Sequence, residues 1–151
     1  MRTTGTFLLL SFFLLGASAA GEGKDAPLAV VRSFHETLAS GNRDRVLAVL
    51  DPGVVIFEQG GAEMSREEYA SHHLGEDIEF SRSTNRKVVD QRSGAKGGSA
   101  WVLTISETSG SFGGKDVSSR NVETMVLRQT PGGWRIVHIH WSSRRLEAPK
   151  P

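Results

Sequence analysis

The sequence of 151 residues contains no cysteine. That excludes a disulfide framework, a thiol nucleophile, cysteine-based zinc sites and a lipid anchor attached through cysteine. It has little net charge, +1 overall. A chain so balanced has no global attraction to nucleic acid or to anionic lipid, so nucleic-acid binding is not expected. It has no G-x-S-x-G, P-loop or dinucleotide fingerprint, which removes the common routes to serine hydrolysis and nucleotide chemistry. Aromatic residues make up 7%, with a single tyrosine. What remains is 38% hydrophobic and 23% charged, the make-up of one soluble globular domain.

Only one long apolar run occurs. Arg2 precedes Phe7 to Leu15, and the small residues Gly16, Ala17, Ser18, Ala19 and Ala20 follow. A positive start, a short apolar centre and an A-x-A site read as a secretory signal peptide over residues 1–20. The run is short of the ~20 residues that span a bilayer. The expectation is export to the periplasm or the medium, with no membrane attachment in the mature form. The mature chain then keeps 17 basic and 17 acidic side chains. The expected domain covers residues 21–146, and residues 147–151 form a frayed tail.

Along that domain, Pro27 opens a helix whose apolar positions Val31, Phe34 and Leu38 recur at helical spacing, with His35 inside the stripe. Gly41-Asn42 ends it, and a short helix over about 43–50 follows. Asp51-Pro52-Gly53 is expected as a turn, and Val54 to Glu58 as a strand with Val54, Ile56 and Glu58 on one face. Ser65 with Glu68 forms a capping box that opens a third helix, expected to stop near Gly75. Four strands follow, over about 84–92, 100–109, 117–128 and 134–141. Glycines at 97, 98, 113 and 114 supply bends between them. Helices first and a long antiparallel sheet after imply an α+β fold with about three N-terminal helices on one face of a curved sheet.

This order and several local patterns resemble the nuclear transport factor 2-like superfamily with its SnoaL-like domains. The opening Val31-Arg32-Ser33-Phe34, Gly41-Asn42 and Val54 to Phe57 carry part of the likeness. The ending is more specific: Glu123-Thr124 and then Gly133-Trp134, His138-Ile139-His140-Trp141-Ser142 are similar to the end of the calcium/calmodulin-dependent kinase II association domain. The resemblance implies a cystatin-like, cone-shaped curved sheet, a conical pocket and dimers or larger assemblies, with a homodimer expected here. Met125 and Trp141 stand where the kinase domain has pocket arginines, a departure from the kinase pattern. The fold alone does not specify chemistry.

The five histidines carry the remaining expectations. His138 and His140 are two apart on a strand and leave by one face, expected to be that of Trp134, Ile136 and Ser142. Val137, Ile139 and Trp141 would then form the outer, dimerising face. The pocket is expected to take a small molecule through His35, Tyr69, His72, His73, Trp101, Glu123, His138 and His140. Three readings of the histidines stand. His138 is a buried ring bonded to Glu123 or to a backbone carbonyl. Alternatively His73, His138, His140 and Glu58, or His72, gather a zinc or copper ion. Alternatively a histidine oriented by a carboxylate moves a proton, with His73, His138 and Glu58 as the catalytic set. No cofactor is otherwise implied.

Overall fold

A computed structural model describes residues 26–147. The expected signal peptide, the next five residues and the last four of the tail lie outside the described residues. Among those described, no helix is long and apolar enough to cross a membrane.

Helix α1 (Ala26–Ser40) buries Val31, Phe34 and Leu38 on one side. It ends in a glycine-closed cap: Gly41, at φ 76°, donates to Leu38 O at 3.0 Å, and Asn42 N donates to Thr37 O at 3.0 Å. The side chain of Asn42 then accepts from Arg45 N and starts α2 (Arg43–Val49), so one dipeptide closes a helix and opens the next. Strand β1 (Leu50–Glu58) begins earlier than expected. Asp51-Pro52-Gly53 is not a free turn but an irregular stretch of the strand, where pairing to the last strand jumps from Leu50 to Val55. A short β2 (Gly61–Glu63) pairs back on β1.

Ser65 caps α3 (Arg66–His72) by accepting from Glu68 N at 3.1 Å, and Glu68 accepts in return from Met64 N at 2.6 Å. The helix ends three residues before Gly75, close to the expected stop, but a further helix that the sequence did not announce, α4 (Leu74–Ser83), follows at once after a bend at His73. Burial of Leu74, a 2.7 Å hydrogen bond from Tyr69 to Asp77 and an edge-on Phe80–Phe112 contact outweigh the roughly 1 kcal/mol that glycine costs a helix.

The remaining chain forms β3 (Thr84–Lys96), β4 (Ser99–Phe112), β5 (Lys115–Thr130) and β6 (Gly133–Arg145). Both diglycine turns hold positive φ at both positions, which suits two-residue hairpins. The sheet order is β2-β1-β6-β5-β4-β3, antiparallel except for β1 beside β6. This is an α+β fold of the cystatin-like kind: one six-stranded sheet covered on one face by the helices.

The sheet's inner, helix-facing side changes chemistry along its length. One row joins Ile56, Ile139, Met125 and Val102, all in the core. The next row joins Glu58, Trp141, Glu123, Thr104 and Gln91. Beyond it, buried Ser106 and Thr108 continue the polar half.

Gly110 fastens the start of β3. At φ 148°, a Cβ there would lie 2.7 Å from Ser83 O and 2.9 Å from Thr84 Cα. Backbone cannot yield as a side-chain tip can. Gly110→Ala is therefore expected to cost about 2 kcal/mol. Urea unfolding checks this, and an unchanged midpoint would refute it.

Candidate functional site

Two polar clusters lie on the helix-facing side. The first centres on Glu123 of β5, 5% exposed. Strand alternation places it with Met125, as expected, and α1 brings His35 over it. His35 Nε2 stands 2.8 Å from Glu123 Oε2, a charge contact without the alignment of a linear hydrogen bond. Trp141 Nε1 donates to the same oxygen at 2.7 Å. Arg86 of β3 brings Nη2 to 3.5 Å from Oε1. Burial alone would raise the Glu123 carboxyl. The His35 charge and contact, Arg86 and the Trp141 N–H together overcome that and hold it below the usual range. Glu123 is thus an ionised carboxylate inside the protein. Its neighbour Arg86 is lowered by burial, against the pull of Glu123.

The second cluster sits where the α3–α4 bend meets β1 and β2. Glu63, 6% exposed, pairs with His73 Nδ1 through Oε1, and His72 Nδ1 lies 3.4 Å from Oε2. Tyr69, fully buried, hydrogen-bonds Asp77. Burial raises Asp77. Glu58 is raised by burial and then by Asp77. The Tyr69 hydroxyl is pushed far up by burial and by Asp77, so it acts as a neutral donor.

His73 is raised, first by its hydrogen bond to Glu63. A raised histidine stabilises fully below its free value of 6.5 and loses that contribution as pH rises through the higher folded value. The raised Glu58 and Asp77 act in the same direction, since each costs stability once ionised. The α3–α4 bend is therefore expected to tighten in mild acid. The His73 ring is more than half exposed, so its share stays below about 1 kcal/mol. Thermal melts of wild type and His73→Gln from pH 5.5 to 8.5 check this, the gap closing toward pH 8.5. A gap that widened with pH would contradict it.

The histidines of β6 are not where the pattern put them. Leu127 pairs with Ile136 but Val126 pairs with His138, so Val137 is an extra residue in a bulge. One extra residue reverses every later side chain. Trp134 and Ile136 face the helices, and so do Ile139 and Trp141. His138 and His140 face outward beside Val55 and Phe57. His138 Nδ1 lies 2.9 Å from Val55 O, so it ties two strands through a backbone carbonyl rather than through Glu123. Ile139 and Trp141 accordingly do not form an outer face: Ile139 is wholly buried and Trp141 packs on Phe34.

Trp101 is likewise outside. The buried side of β4 carries Ala100, Val102, Thr104, Ser106 and Thr108, while Trp101 lies over Gly94 on the outer face. The pocket set is thus reduced to His35, Tyr69 and Glu123 inside, with His72 and His73 at the rim. The catalytic set His73, His138 and Glu58 is divided between two faces. So is the metal set His73, His138, His140 and Glu58. Among the described residues no three histidines or carboxylates are arranged to hold a metal ion.

Sequence reasoning missed Arg86, Glu63, Asp77 and the Trp141 donor. Arg86 lay in an expected strand, but nothing local showed that it reaches past β4 to Glu123. Two surface recesses, of about 380 and 440 Å³, lie between α2 and α3 near Leu47 and Ala70 and along α4 near Ile78 and Arg82, both off the sheet's inner face.

Helices over one face of this six-stranded sheet give the nuclear transport factor 2-like fold. Within it, the chain belongs to the SnoaL-like domain family, whose model matches residues 28–145. It is similar to the crystal structure of a candidate ketosteroid isomerase from Shewanella frigidimarina: 35% identity, TM-score 0.73, covering 76% of this chain and 92% of that one. It also resembles the crystal structure of the S. rosetta CaMKII hub, at 20% identity and TM-score 0.69, covering 82% of this chain and 98% of that one. A candidate dehydratase of the NTF2-like family from Streptomyces avermitilis matches at 19% and 0.70, covering 83% and 96%. The last two share the fold. No curated protein matches the chain.

Proposed function

We propose that this SnoaL-like domain binds a small organic molecule on the polar half of the sheet's inner face, against Glu123, His35 and Arg86. One observation carries the reading. Four buried side-chain atoms among the described residues lack a hydrogen-bond partner, and three of them, His35 Nε2, Arg86 Nη2 and Glu123 Oε1, belong to this one cluster. Buried polar groups are otherwise almost always hydrogen-bonded, so Arg86 Nη2 and Glu123 Oε1, which meet only across a 3.5 Å ion-pair contact, favour a polar guest. A thermal-shift screen of small polar organic compounds tests it. A compound at a hundred times its Kd stabilises by about 2.7 kcal/mol. The stabilisation should vanish in His35→Phe and Arg86→Met. Compounds that stabilise all three proteins equally would defeat the reading.

A second reading has its own support. An imidazole against an ionised carboxylate is the pairing that general acid–base catalysis uses. The Shewanella relative is described as a candidate ketosteroid isomerase, and isomerisation of that kind moves a proton beside a carbonyl. His35 rather than His73 or His138 is then the proton carrier, with Glu123 orienting it. Hydrogen exchange next to a ketone in deuterated water would fall about 10²–10⁴-fold in His35→Ala. Export through the leader, and a homodimer formed by the outer sheet face, complete the proposal. The leader's residue pattern and the apolar side chains exposed on that face support them.

A further inference from the structure

We infer that the site prefers a neutral ligand group carrying a hydrogen-bond donor and acceptor side by side, such as a primary amide, a lactam or a urea, over a carboxylate. The inference rests on the binding reading above and names its ligand class.

The two oxygens of Glu123 are not equivalent. Oε2 is occupied by Trp141 Nε1 at 2.7 Å and His35 Nε2 at 2.8 Å. Oε1 meets only Arg86 Nη2, at 3.5 Å, and neither atom has a hydrogen bond. The nearby polar side chains are spent on one another. Asn121 Nδ2 donates to Thr108 Oγ1 at 2.9 Å, Ser119 Oγ to Asn121 Oδ1 at 3.0 Å, and Gln91 Nε2 to Thr104 Oγ1 at 3.1 Å. One acceptor and one donor are therefore left adjacent.

A group with N–H and C=O on neighbouring atoms answers both: its N–H donates to Glu123 Oε1 and its oxygen accepts from Arg86 Nη2. A carboxylate has acceptors only. One of its oxygens would suit Arg86, and the other would face the Glu123 carboxylate with like charge in a poorly screened interior. An ammonium would face Arg86 in the same way. Both facing atoms are buried, so the ligand enters by shifting the side chain of Arg86, about a quarter of which is exposed. The Trp141 ring, packed on Phe34, is the apolar surface beside them. An aromatic amide is therefore a suitable probe.

Trp141 Nε1–H reports on the site directly, because it bonds to Glu123. The experiment follows the three indole N–H signals by NMR while benzamide or benzoate is added, with the Trp141 signal assigned through Trp141→Phe. Benzamide should move the Trp141 signal saturably and leave Trp101 and Trp134 still. Benzoate should bind at least about tenfold more weakly, the loss expected when a hydrogen bond to a charged group is not made. Arg86→Met should weaken benzamide similarly. The comparison of the two probes on the unmutated protein stands even if that variant fails to fold. Benzoate binding as tightly as benzamide would overturn the ligand class and leave the binding site in place. No movement of Trp141 with either probe would overturn both.

Discussion

Replacing Glu123 by alanine is expected to lower the stability of the domain by about 3 kcal/mol, the low end of the cost of breaking a buried ion pair from one side. The low end applies because Arg86 keeps about a quarter of its side chain in solvent. The loss has two sources. The change strands the Arg86 guanidinium and the His35 ring in the interior, and it removes the acceptor for the Trp141 indole. Glu123→Gln keeps the shape and one acceptor but not the charge, and should fall between. The pH dependence follows from the lowered carboxyl. A lowered acid contributes its stability above its unfolded value of about 4.5 and loses it as pH falls through the lower folded value. The gap between wild type and Glu123→Ala should therefore be full at pH 7 and shrink in acid. Urea unfolding at pH 7 and near pH 4 measures it. An alanine variant as stable as wild type at pH 7 would mean that solvent already screens the cluster.

Local chemistry made much of the fold legible. Gly41-Asn42 and Ser65 with Glu68 are caps that act within five residues, so the sequence shows where α1 ends and α3 begins. The diglycine turns act within two. The misreadings share a cause: each depended on a partner distant in sequence. Val137 bulges because β5 pairs with β6 in a register that no property of β6 announces, and that single residue sends His138 and His140 outward. In β4 Trp101 was expected to line the pocket, on the side that binary patterning would turn inward. The structure places hydroxyls under the helices there, because the polar half of the inner face must surround Glu123. The α3–α4 bend survives Gly75 through tertiary contacts, above all Tyr69 to Asp77. In the site itself His35 and Glu123 were each visible, one by its place in an apolar stripe and the other by strand parity. Their meeting was not, and neither was the arrival of Arg86 from β3.

The inverted β4 leads to the second large effect. Trp101, Leu103 and Val122 are each about 40–50% exposed on the outer face, and Phe57 of β1 lies on the same side. Leu103 pairs with Thr124, which pairs with His140, which pairs with Phe57, so one row across four neighbouring strands is apolar at both ends and polar between. Glu107 and Arg120, bonded at 3.1 Å, border them with charge. An apolar centre with a polar border is how an interface between copies is built. Such an interface needs about 800 Å² from each partner. Glutamates at both Leu103 and Val122 would place four like charges in the middle of the proposed symmetric contact, because each change would occur on both copies. The expected result is a fall in solution mass from two chains to one at micromolar concentration, measured by light scattering after gel filtration. His138 and His140 on that face explain why a histidine pair can persist in a strand without lining a pocket: His138 braces β1 against β6, and both rings pack against Phe57. A wild-type protein that runs as a monomer would refute the dimer. A double variant that stays dimeric would move the contact off this face.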